Sequence, residues 1–123
     1  MAILWKEDDA EKYWQALAES KVNRISAGTY IECAAVLGST RNPVVATRFD
    51  ELLRSFQVEV MPVSTMQAFR GREAYSNFGR GTGHKARLNF GDCFAYALAR
   101  ELDEELLFKG EDFVHTDVRP AMR

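Results

Sequence analysis

The sequence predicts an α/β fold: a three-layer α/β/α sandwich around a central parallel sheet. Two observations carry this reading: short strand candidates alternate with longer segments of helical periodicity, and the connections between them are short. A third is the lack of internal repeats, low-complexity tracts and interdomain linkers, which places residues 1–123 in a single domain. A chain of 123 residues is long enough for one hydrophobic core and too short for two.

The elements follow in order. Residues 8–19 put Ala10, Tyr13, Trp14, Leu17 and Ala18 at helical spacing, with acidic residues crowding the first turn, where the helix dipole favours them. Residues 23–26 make a short strand. Ser26 then caps an apolar helix over 27–37 that Gly38 closes. Asn42-Pro43 opens a third helix with Val44, Val45, Phe49, Leu52, Leu53 and Phe56 on one face. Residues 58–63 read as a β-branched strand ended by Ser64. Residues 65–78 form a helix, 79–85 a glycine-rich loop, and 89–106 a long helix with Phe94, Ala95, Leu98, Ala99 and Leu102 along one stripe. Residues 105–109 supply a last strand. A buried parallel sheet is normally built from several apolar strands, and only three convincing ones are present.

Composition narrows the function. Hydrophobic residues make up 46% and charged residues 28% of the chain, and no apolar run approaches the roughly 18 residues of a membrane span. Met1-Ala2-Ile3-Leu4 turns acidic at once, without the basic start and apolar stretch of roughly 7–15 residues of a secretory signal. Cys33 and Cys93 lack CxxC partners and zinc-spaced histidines, so both read as reduced core thiols of a soluble, cytoplasmic protein. A net charge of −2 does not draw the chain as a whole to a polyanion. Nucleic-acid binding would need a local basic patch or a metal ion.

Ligands of open parallel sheets bind beyond the carboxyl ends of the strands, and three acids fall there. Glu32 is the sole charge in the otherwise apolar run Tyr30-Ile31-Glu32-Cys33-Ala34-Ala35-Val36-Leu37. Burying a lone carboxylate costs several kcal/mol unless it is paired or binds a metal; a solvated edge or an arginine partner is the plainer account. Asp92 stands third in a helix capped by Asn89, a capping-box position that also keeps it ionised, as a hard cation requires. Asp112 follows the last strand past Gly110, where a turn role alone would explain it. Clustered together, three carboxylates repel one another unless a cation neutralises them. Mg²⁺ or Mn²⁺ is the economical answer, and metal-assisted phosphodiester hydrolysis is the chemistry.

Taken with Ile25-Ser26-Ala27 and Glu32, the motifs Leu88-Asn89-Phe90-Gly91-Asp92-Cys93-Phe94-Ala95-Tyr96-Ala97-Leu98-Ala99 and Leu107-Phe108-Lys109-Gly110-Glu111-Asp112-Phe113-Val114-His115-Thr116-Asp117-Val118 resemble the VapC-type toxins of the PIN-domain ribonucleases. The resemblance spans essentially the whole chain. It implies a PIN-like sandwich, Mg²⁺- or Mn²⁺-dependent endoribonuclease activity within a type II toxin–antitoxin system, a cognate antitoxin that covers the site, and a homodimer. On its motifs, Glu32 would be the second acid, Asp92 the third, Asp112 the fourth, and Asp117 an accessory acid. The family's first acid ends an opening strand that reads like Ile-Leu-Asp-Thr-Ser, before a helix that begins like Ala-Ile-Leu. Met1-Ala2-Ile3-Leu4 matches the start of that helix, so the first strand and first acid are expected to be absent. Either the start was assigned at an internal methionine or the protein is shortened.

Other features carry less. The loop Gly79-Arg80-Gly81-Thr82-Gly83-His84-Lys85-Ala86 is no P-loop, because His84 splits Gly83 from Lys85 and Ala86 replaces the hydroxyl. Its Arg80 and Lys85, with Arg87, are candidate RNA-phosphate contacts. His84 and His115 support neither a zinc site nor a nucleophile's base. Trp5, Trp14, Phe90 and Phe94 read as core or dimer-contact aromatics. The rival reading is a catalytically impaired PIN-like module that dimerises and binds antitoxin or RNA. A phosphoacceptor receiver domain would need an early acid pair and an aspartate ending a central strand, and has neither.

Overall fold

A computed structural model of the chain describes residues 2–3, 11–39, 41–108 and 113–121. Its elements run β1 (Ala2–Ile3), α1 (Glu11–Glu19), β2 (Arg24–Ser26), α2 (Ala27–Ser39), α3 (Pro43–Ser55), β3 (Glu59–Met61), α4 (Thr65–Phe78), α5 (Phe90–Leu102) and β4 (Leu106–Leu107). The strands form one sheet in the order β3-β2-β1-β4. All three pairings are parallel, with Ile3 opposite both Ile25 and Leu107, and Ile25 opposite Val60. The chain order reverses direction between β1 and β4, the kind of switch point at which open parallel sheets bind ligands.

The expected loss of an N-terminal strand is corrected here. Ala2–Ile3 lies in the sheet, not in a helix, and takes a central place between β2 and β4. Without it, the facing backbone groups of both neighbours would go unpaired at the centre of the sheet, a cost that parallel sheets do not tolerate. The strand number is therefore four among the described residues, not three.

Alternation along β4 gives the layers. Leu106 joins a core with Leu88, Cys93, Ala95, Leu98, Ala99 and Phe113, whereas Leu107 joins Leu17 and Ile25, with Leu52, Phe56 and Val58 packed around them. Successive strand side chains point to opposite faces, so these two leucines fill the two sides of the sheet. Buried Asn23 fastens the second side, its Nδ2 donating to the carbonyls of Leu17 (2.9 Å) and Phe56 (3.4 Å) at the ends of α1 and α3. Arg24 pairs with Glu104 across the sheet.

Helix boundaries follow local caps. Asn42 accepts from the Val44 N–H ahead of Pro43. Ser64 proves to be the cap of α4, accepting from the Gln67 N–H, rather than the end of a strand. β3 is shorter than the expected 58–63, because Pro62 has no N–H for the ladder. α5 stops at Leu102 instead of running to 106, since Asp103 takes the left-handed conformation (φ 52°) and turns the chain into β4. The expected start of the first helix at residue 8 lies outside the described residues, as does Trp5.

Candidate active site

α5 opens at the carboxyl edge of the sheet with a reciprocal cap. The Asn89 side chain accepts from the Asp92 N–H (2.9 Å) and the Asp92 carboxylate accepts from the Asn89 N–H at Oδ2 (3.0 Å). This is the capping box that the spacing predicts. Asp92 is fully buried, so its charge is held among backbone dipoles at a helix N-terminus.

Glu32 reaches the same place from α2. A methyl group built on Gly91 would lie 1.7 Å from Glu32 Oε2 and 2.4 Å from its Cδ. The carboxylate thus occupies the space a side chain at 91 would need, directly beside Asp92 in the chain. One turn earlier on α2, Gly28 gives the same clearance to Phe94, whose ring would sit 2.3 Å from a Cβ there. These two glycines let α2 and α5 approach closely, with the Glu32 carboxylate against the backbone of Gly91. Glycine within a helical run is a signal of close backbone approach, and it is the signal that would have found Gly91 and Gly28 in the sequence.

Not all the candidate residues gather here. Asp112 lies outside the described residues. Asp117 is held on α5 farther along, accepting from the Tyr96 hydroxyl (2.6 Å) and pairing with Arg100 Nε (3.5 Å), with its side chain 51% exposed. Arg80, Lys85 and Arg87 are exposed on the glycine-rich loop. The base of that loop is pinned beside Asn89 by Leu88 N–H to Phe78 (2.8 Å) and Arg80 N–H to Leu88 (2.8 Å). His84 organises the loop, its Nδ1 accepting from the Ala86 N–H (3.0 Å) and its ring set edge-on to Phe78. Phe90 is not a core residue: it is 74% exposed, although the next three residues of the same turn, Gly91, Asp92 and Cys93, are buried. The burial of Trp14 lies outside the described residues.

The chemistry of the donors suits a hard cation: the Glu32 carboxylate on Gly91 and the buried Asp92 carboxylate at the helix start both offer oxygen, while the Cys93 sulfur turns to the Asn89 carbonyl (3.6 Å). Among the described residues no group of three or more His, Cys, Asp or Glu side chains could hold a metal ion.

The PIN-domain model matches residues 1–119. The chain belongs to the PIN-domain family. Within it the VapC-like group is close: a VapC ribonuclease of Mycobacterium bovis and ribonuclease VapC28 of Mycobacterium tuberculosis are each 52% identical over 122 residues, covering 99% of this chain and 92% of theirs. Ribonuclease VapC42 of Mycobacterium tuberculosis is 42% identical over 121 residues, covering 98% and 92%. A toxin–antitoxin complex from Klebsiella pneumoniae shares the fold, with a TM-score of 0.62 at 21% identity over 88% of this chain and 82% of that one. The VapC-like chain has no helix, among the described residues, long and apolar enough to cross a membrane.

Burial tunes two further groups on α5. Burial first, and the neighbouring Asp92 charge second, push the Cys93 thiol from 9.0 to about 11. Burial, then the hydrogen bond and charge of Asp117, also push the Tyr96 hydroxyl up, with Arg100 opposing. Both raised values favour the neutral form in the folded PIN domain. Their stabilisation is complete below the unfolded pKa, which for Cys93 is 9.0, and is lost as pH rises through the folded value of about 11. Urea midpoints are therefore expected to fall from about pH 9 upward, and Cys93→Ala to flatten part of that decline. A slope unchanged by Cys93→Ala refutes the assignment.

Proposed function

We propose that this VapC-like chain is a metal-dependent endoribonuclease, the toxin of a type II toxin–antitoxin pair acting in the cytoplasm. The observation that carries the reading is the seating of the Glu32 carboxylate on Gly91 beside the buried Asp92. Acids from two helices gathered on the carboxyl edge of a parallel sheet call for a counter-charge, and the names of the VapC relatives supply the reaction class.

Glu32, Asp92 and Asp112 would hold Mg²⁺ or Mn²⁺, with Asp117 as an accessory acid. Such an ion, when bound, supplies a water of lowered pKa and neutralises charge on the phosphodiester. The protein's own contribution is positioning. The Asn89 N–H fixes one oxygen of Asp92, and Gly91 leaves room for Glu32. Arg80, Lys85 and Arg87 meet RNA phosphates along the approach from the loop. RNA is the substrate and a cognate antitoxin the inhibitor, with a homodimer as the working assembly.

The test is cleavage of single-stranded RNA by the purified chain. Activity with Mg²⁺ or Mn²⁺ that EDTA abolishes and added Mn²⁺ restores is expected. Cleavage indifferent to EDTA rejects the metal mechanism.

A further inference from the structure

Phe90 is the most exposed large hydrophobic side chain among the described residues, at 74%, yet it is not loose. Its ring stands T-shaped on Phe94, with centroids 5.2 Å apart and planes at 80°. Phe94 is seated in turn on the bare backbone of Gly28. The sequence spends a glycine and a second aromatic to hold one phenyl face toward solvent. That face lies on the first turn of α5, next in sequence to Gly91 and two residues before Asp92. The exposed cations Arg80, Lys85 and Arg87 enter from the preceding loop, Arg87 in the left-handed conformation (φ 53°). A braced, exposed aromatic face two residues before a buried acid, with exposed cations in the segment leading into it, is the pattern of a single-stranded nucleic-acid site, where phosphates meet the cations and a base stacks on the ring.

We propose that Phe90 is the stacking platform for a nucleobase beside the bond to be cleaved, braced by Phe94, and that it makes the site selective for unpaired RNA. This rests on the ribonuclease reading above. Every base offers a π-face, so the ring sets position and strandedness, not sequence. Bases locked in a duplex cannot splay onto it.

The test measures binding and turnover separately for the wild type, Phe90→Ala and Phe90→Trp. Anisotropy of a labelled single-stranded oligoribonucleotide, in EDTA to keep it intact, gives Kd. Kinetics with Mn²⁺ give KM and kcat, and sedimentation velocity gives the assembly state. Phe90→Ala is expected to weaken binding and raise KM about tenfold with kcat within about threefold, while Phe90→Trp stays near wild type. Unchanged Kd in Phe90→Ala overturns the proposal, as does a wild type that binds no RNA. A smaller assembly with unchanged Kd also overturns it, assigning the ring to a contact between copies. Binding that depends on Phe90 in a protein that cleaves nothing with either metal leaves the platform standing and removes the nuclease reading.

Discussion

Asp92→Asn is expected to reduce RNA cleavage by more than about 100-fold, since losing even an outer partner of a metal ligand typically costs about 10- to 100-fold. The substitution keeps the shape of the helix start. An asparagine at 92 still offers a side-chain oxygen to the Asn89 N–H that Asp92 now engages at 3.0 Å, and its own N–H remains with the Asn89 side chain. The neutral amide forfeits a charge–dipole attraction of up to about 2 kcal/mol but no longer buries a charge, so thermal unfolding changes little. Asp92→Ala behaves differently, losing the hydrogen bond as well, for about 1 kcal/mol. Calorimetric titration with Mn²⁺ together with thermal melts separates the effects, because both variants lose metal affinity and only alanine loses the side-chain half of the reciprocal cap. A fully active Asp92→Asn protein would remove Asp92 from the site.

Gly91→Ala is the second large effect, and it separates stability from activity. The new methyl lands 1.7 Å from Glu32 Oε2, and the obstacle is the end of a flexible side chain, so Glu32 swings aside and the backbone stays. Alanine is also favoured over glycine in a helix by up to about 1 kcal/mol. The variant is therefore expected to melt at or slightly above the wild-type temperature while cleaving about 100-fold more slowly, the scale of loss that misplacing a reacting group by an ångström brings. Full activity with alanine at 91 would show that the Glu32 carboxylate does not work from its place on Gly91.

What the sequence made legible was local chemistry. The bounds of α4, the capping box at Asn89 and Asp92, and the helical setting of Glu32 each depend on residues within one or two turns, and each agrees with the structure. The family, too, was legible from the motifs around Asp92 and Glu32. What escaped depends on distant partners. Ala2–Ile3 is a strand only because β2 and β4 flank it, and two residues carry no period of their own. Phe90 shares helical spacing with buried positions such as Ala97 and Leu98, yet stands exposed because, among the described residues, no distant segment covers it. The meeting of Glu32 with Gly91 joins residues of two helices, which no spacing along one chain expresses. The geometry of Asp112 lies outside the described residues.

The central strand has a consequence for synthesis. Ile3 is hydrogen-bonded in register with Leu107, so the sheet joins strands that lie far apart in the sequence. Pairings of such long sequence separation form slowly, after the loop-closure entropy of the intervening chain has been met. During translation at about 5–20 residues per second, β2 and β3 can pair early, but the place beside β1 stays empty until β4 has left the ribosome. α5 packs on β1, β2 and β4 alike, so the turn that carries Asp92 gains its full seat only then. Until β4 has emerged, the nascent chain stays without the finished carboxyl edge of its sheet.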